Sequence, residues 1–191
     1  MHCNMLQNLS ENSLCLILTL LNRIWNEKAF PTAWRKAIVV PIPKVGKDPQ
    51  NSSNYRPTAL TSCLCKLMER MVKKRLVYIL EKKNMLSKFQ GGFRHGHSTE
   101  DNALQLETAI RDAFVTKKHW ISIFFDMDKA YDRTCRHGIL KDLFTIGLRG
   151  NLPIFIKNFL KTRTFRVRVG DIFSDEFYQQ EGPSGAHLLQ V

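Results

Sequence analysis

Between Phe125 and Asp132 the chain places three carboxylates, Asp126, Asp128 and Asp132, directly after the hydrophobic run Trp120 to Phe125. A run of that composition reads as a buried β-strand, and a strand that ends in a carboxylate is a common place for chemistry. Asp126 and Asp128 sit two residues apart, so continued extension points both to one face, where two anions repel unless a cation lies between them. The chemistry implied is divalent-metal binding. The competing reading is a strand end followed by a solvated turn, and spacing alone favours it, because isolated aspartate pairs are common.

The surrounding composition points to a polyanionic partner. The formal net charge is +12, and the stretch from Arg35 to Arg94 holds 14 lysines and arginines against three acids, Asp48, Glu69 and Glu81. Such a concentration attracts nucleic acid, because each neutralised phosphate releases condensed counterions. Some of Lys73, Lys74, Lys82 and Lys83 also serve simply as a solvated helix face. Five cysteines without a repeated spacing argue against a disulfide framework and for a reducing compartment. Cys63 and Cys65, in an apolar context, read as thiols packed like small hydrophobes. His95 and His97, in a loop with no third ligand in view, read as ordinary polar residues. The apolar run Leu14 to Leu21 is far short of the roughly 20 residues that span a bilayer, which makes it a core helix. The first dozen residues lack the order of a secretory signal, so the expectation is an intracellular chain, nuclear or cytoplasmic, with no membrane partner.

The elements that must position these residues alternate along the chain. Ser10 or Ser13 caps a helix running to about Lys28, which Phe30-Pro31 stops. Ile38 to Ile42 is a short β run, and Lys44 to Asn54, rich in Gly, Pro, Ser, Asn and charge, reads as a mobile loop. From Thr61, apolar residues from Leu64 to Leu80 recur at helical spacing with a basic side. After the loop Ser87 to His97, Ser98 and the acids behind it resemble a capping arrangement for a helix to about Lys117. The strand to Asp126 follows. His137 to Ile146 forms a helix ended by Gly147, and Asn151-Leu152-Pro153 opens another to about Leu160. Phe165 to Val169 alternates as a half-buried strand, with Phe177 to Gln180 as its hairpin partner. The class is α+β.

Several stretches together resemble reverse transcriptases of non-LTR (LINE-type, jockey-like) retrotransposons. Phe125 to Asp132 resembles the first catalytic motif of that family. Ala29 to Ala37, Val40 to Pro49 and Asn54-Tyr55-Arg56-Pro57-Thr58-Ala59-Leu60 resemble its fingers region, and Gln90-Gly91-Gly92-Phe93-Arg94 with Ser98-Thr99 matches the next motif. The resemblance runs from about Leu21 onward. It implies the fingers and a partial palm of a right-hand polymerase, with an incomplete palm sheet: residues 1–30 an N-terminal helical extension, 31–118 fingers, and 119–191 the partial palm.

By the same resemblance, Asp126 is the catalytic ligand for two Mg²⁺ ions, which activate a primer 3′ oxygen and neutralise the leaving pyrophosphate. The Met127 carbonyl adds a ligand oxygen. The amides of Lys129 and Ala130 face the nucleotide phosphates, and Tyr131 lies beneath the sugar. By sequence alone, Tyr131 reads as core packing. Lys44 and Arg56 meet the triphosphate, while Lys47, Gln90 and Arg94 lie along the nucleic acid. Arg166 and Arg168 belong to the same path or to an exposed strand face. The implied partners are an RNA template, a DNA primer and a deoxynucleoside triphosphate. The chain departs from the family at Gly182-Pro183-Ser184-Gly185-Ala186, where the pattern is Gly-Val-Pro-Gln-Gly-Ser and a serine stands for the nucleotide-positioning glutamine. It also stops at Val191, ahead of the Ala-Asp-Asp hairpin and the thumb. The expectation is therefore a fragment of an RNA-directed DNA polymerase that is inactive alone. The alternatives are a non-catalytic RNA or RNA/DNA-hybrid binding module, and a half-enzyme complemented in trans.

Overall fold

The computed structural model describes residues 3–127, 134–161 and 163–178. The chain forms two compact units, one of Met1–Lys73 with Lys129–Val191 and one of Lys74–Asp128.

In the first unit α1 (Glu11–Glu27) starts at Ser10, whose hydroxyl accepts the Ser13 amide, and ends at Lys28 in the left-handed region at φ 57°. β1 (Lys36–Pro43) then runs antiparallel to β2 (Tyr55–Leu60), with Ile38 opposite Leu60 and Pro43 opposite Tyr55. The loop read as mobile is closed by local hydrogen bonds: Tyr55 Oη donates to Pro49 O at 2.9 Å, Asn54 Nδ2 to Asp48 O at 3.0 Å, and the Asn51 side chain accepts the Ser53 amide at 3.0 Å. α2 (Cys63–Lys82) begins in this unit and α3 (Thr99–Val115) belongs to the other. α4 (Arg136–Thr145) and α5 (Asn151–Phe159) return the chain to β3 (Thr164–Val169), which pairs parallel with β1, Lys36 opposite Thr164 and Val39 opposite Val167.

The expected hairpin partner of β3 arrives in two pieces. β4 (Ile172–Phe173) pairs with Arg168 and Val169, and β5 (Phe177–Tyr178) pairs with Thr164 and Phe165. Ser174 bridges the gap, its amide donating to Val167 O and its hydroxyl accepting the Val167 amide, both at 2.9 Å. A side-chain oxygen thus replaces a ladder acceptor where the strand is interrupted. Sheet order is β2-β1-β3-β4, so β1 is covered on both edges.

α1, α5 and the turn that follows α1 meet in an aromatic core. Phe30 packs edge-on against Trp34, Phe155 and Phe159 with ring centroids 5.6–5.8 Å apart, and Leu21, Ile24 and Leu152 are buried with them. Asn158 Nδ2 donates to Lys28 O at 2.7 Å, satisfying a carbonyl left open where α1 ends.

One ion pair lies inside this core. Arg163, 4% exposed, stacks 4.0 Å from the Phe159 ring centroid and donates from Nε and Nη2 to Phe159 O at 3.2 Å. Its Nη2 is 3.9 Å from Glu69 Oε1, which also accepts from the Cys65 thiol at 3.1 Å. Burial pushes the Glu69 carboxyl above its ordinary range and the Cys65 thiol upward, and lowers the Arg163 guanidinium. Cys65 is buried as expected. Cys63 is disulfide-bonded, which corrects the reading of both as free thiols; composition does not report which sulfurs meet in space.

The second unit holds the rest of α2, the loop behind it and α3. Ser98 and Asp101 form the expected capping box, Asp101 Oδ2 accepting the Ser98 amide at 2.7 Å and Ser98 Oγ accepting the Asp101 amide at 3.1 Å. The strand expected over Trp120 to Phe125 does not form. Residues 118–127 carry neither helix nor strand, and Phe125 is 90% exposed. Apolar composition reports that a segment can be buried; a strand additionally needs a second backbone to bond with, and none among the described residues pairs with this one.

Removing the buried guanidinium leaves the Glu69 carboxylate without its counter-charge. Arg163→Met is expected to lower the unfolding free energy in urea by about 3–5 kcal/mol, and a loss below about 1 kcal/mol contradicts a role for this pair in the core.

Candidate functional site

β1 and β2 build the basic part of the site. Arg56 lies opposite Ile42, and the Lys44 amide donates to Asn54 O at 2.8 Å, which extends the ladder one step beyond the strand. Lys44 lies two residues after Ile42, so its side chain starts from the same face as Arg56. Two cations distant in sequence are thereby gathered at the loop end of one hairpin. Lys44 Nζ donates to Ser53 O at 3.0 Å, which fixes its position, while Arg56 is exposed. Lys47 lies exposed in the same loop, its amide donating to Lys44 O at 3.2 Å.

Gln90 and Arg94 lie in the second unit, and Arg94 is engaged internally. Its Nε and Nη2 donate to the two carboxylate oxygens of Glu81 at 2.8 Å each, and Nη1 donates to Ser87 O at 2.9 Å and Gln90 O at 3.3 Å. The fork holds the Glu81 carboxyl below its ordinary range. Gln90 Nε2 reaches Gly92 O at 3.5 Å. Motif position alone does not distinguish a guanidinium that faces solvent from one that folds a loop around itself.

Asp126 and Met127 lie on the unpaired segment, both exposed. Lys129, Ala130 and Tyr131 lie outside the described residues, as do Asp128, Asp132 and Gly182 to Ala186. Among the described residues, no group of three or more His, Cys, Asp and Glu could share a metal ion, so these residues alone do not fit a divalent-ion site. Among them, no helix is long and apolar enough to cross a membrane.

Two features escaped the sequence reading. Glu69, on the side of α2 that buries Cys65 and Met68, is the partner of Arg163; an acid falling on an otherwise apolar stripe was the available signal. A cavity of about 580 Å³ opens beside β1, β3 and the start of α2, with Lys36, Arg166 and Glu176 in its wall. Lys36 Nζ lies 3.5 Å from Glu176, whose carboxyl is held low by a hydrogen bond from Thr164 and by Lys36. This ion pair and the exposure of Arg166 suit the strand-face reading of that arginine.

Comparison with known proteins agrees with the family resemblance. Residues 42–187 match the reverse transcriptase (RNA-dependent DNA polymerase) family. The chain is 34% identical over 97% of its length to a probable RNA-directed DNA polymerase from transposon BS of Drosophila melanogaster. It is 33% identical over 84% of its length to the RNA-directed DNA polymerase from the mobile element jockey of the same fly. Against a retrovirus-related Pol polyprotein from the type-1 retrotransposable element R2 of Popillia japonica it is 31% identical over 73% of its length. It spans only about a fifth of these relatives, 21%, 18% and 19% of their lengths. With most of its length matched in this way, the chain belongs to the reverse transcriptase family.

Proposed function

We propose that the chain is the fingers and first part of the palm of a non-LTR retrotransposon reverse transcriptase, and that alone it holds nucleic acid without extending a primer. In this reading residues 1–30 are a helical extension, 31–118 the fingers and 119–191 the partial palm. The observation that carries it is the β1–β2 hairpin, which draws Lys44 and Arg56 to one face. A lysine point charge and a forked guanidinium side by side suit the triphosphate of an incoming deoxynucleotide. Lys47, exposed in the adjoining loop, is suited to a backbone phosphate of the template or primer.

Asp126 is the carboxylate this reading assigns to magnesium, with the Met127 carbonyl beside it. The same reading assigns Lys129, Ala130 and Tyr131 to the nucleotide. Catalytic silence rests on Ser184, which is too short to do the work of the family's positioning glutamine. The alternative reading is a non-catalytic RNA or RNA/DNA-hybrid binding module, which draws on the same excess of cations from Arg35 to Arg94.

Filter binding of an RNA/DNA hybrid and primer extension on the same preparation test the proposal. The logarithm of the affinity is expected to fall linearly with log salt, with a slope about one unit shallower for Lys47→Ala, and to be unchanged by Asp126→Ala. No nucleotide is incorporated by the chain alone with magnesium and deoxynucleotides. Incorporation that disappears in Asp126→Ala would overturn the claim of silence, and salt-independent retention would overturn the interface.

A further inference from the structure

The loop between α2 and α3 is more tightly built than a passive connection requires. The Arg94 guanidinium sits at its centre, bonded to both oxygens of Glu81 on α2 and to the carbonyls of Ser87 and Gln90. On the other side Gly91 lies against α3, where a Cβ would come within 2.6 Å of the Asn102 side chain. A side chain there would have to displace the end of the exposed Asn102 side chain. The loop is therefore tied to α2 through Arg94 and lies beside Asn102 of α3.

What the loop displays is two aromatic rings. Phe89 is 73% and Phe93 77% exposed, and Phe93 is held at φ +62°, a conformation that bulky residues rarely adopt. The Lys88 ammonium lies 5.1 Å from the Phe89 ring centroid. The setting is cationic: from Lys74 to His97 there are six lysines and arginines and a single acid, Glu81, which Arg94 already neutralises. Apolar protein partners bury rings but do not call for this charge. Exposed rings set among cations suit successive bases and their phosphates.

We infer that Ser87 to Arg94 is a stacking platform for single-stranded nucleic acid, in which Phe89 and Phe93 take bases, Lys88 takes a phosphate, and Arg94 is a positioning residue. The inference rests on the nucleic-acid-binding part of the proposed function and reverses the sequence expectation for Arg94. A contact residue would keep its hydrogen-bond donors for the ligand, whereas three of the Arg94 nitrogens are spent on the loop. Lysine keeps the charge but has no fork with which to grip two oxygens and two carbonyls at once.

The test uses the full chain, single-stranded RNA and DNA oligonucleotides carrying 2-aminopurine, and a duplex of the same sequence, read by anisotropy and by quenching of the base. The unmodified chain is expected to quench both single strands and to leave the duplex unquenched. Phe89→Ala and Phe93→Ala each lower single-strand affinity by about fivefold or more and relieve quenching, with the salt slope unchanged. Phe89→Trp retains both, and Lys88→Ala makes the slope shallower by about 0.7. Arg94→Lys loses quenching while keeping the slope, an effect that a direct phosphate contact would not give. Phe variants that bind and quench like the unmodified chain overturn the platform and leave the proposed function standing. Failure of the unmodified chain to bind any of the nucleic acids overturns both.

Discussion

A β-strand exists only where a second backbone supplies its hydrogen-bond partners, and that requirement sorts this chain into what is built and what is not. β1 meets it twice, with β2 on one edge and β3 on the other. Everything else in the first unit follows from those two pairings. The antiparallel one turns the chain back so that Lys44 and Arg56 share a face; the parallel one needs the long excursion that returns through α4 and α5. The aromatic core around Phe30 and the buried Arg163 packs α5 against the turn that follows α1. Trp120 to Phe125 has the composition of an inner strand and does not meet the requirement within the described residues, so the proposed magnesium ligand Asp126 sits on an exposed, unpaired backbone.

The elements legible in the sequence were those whose stability is local. Ser10 and Ser98 marked helix starts, Phe30-Pro31 and Gly147 marked stops, and the apolar spacing from Leu64 to Leu80 gave α2, because caps and amphipathic stripes act within a few residues. Pairings between distant segments were not legible. Nothing in Lys36 to Val39 announces Thr164 to Val167 as its parallel neighbour, and nothing near Glu69 announces Arg163. The unpaired run before Asp126 belongs to the same class: its residues report hydrophobicity, and a missing ladder leaves no mark on composition.

The site was legible in the same uneven way. Motif order singled out Lys44, Lys47 and Arg56, and the hairpin brings Lys44 and Arg56 to one face. It singled out Arg94 equally strongly, yet there the guanidinium turns inward to Glu81. Charge tells which class of partner a surface favours, while hydrogen-bond geometry tells which cations remain to meet it. Among the described residues the basic hairpin is built, whereas Asp126 lies on unpaired backbone.

Backbone amide hydrogen exchange compares the two kinds of segment directly. The amides of Ile38 and Val39, flanked on both edges, should be protected to the level of global unfolding. Those from Ile121 to Phe125 should exchange at close to the rate of an unstructured chain. Equal protection of the two segments would mean that the run before Asp126 has found a partner strand, and the division between built frame and unbuilt tip would be wrong.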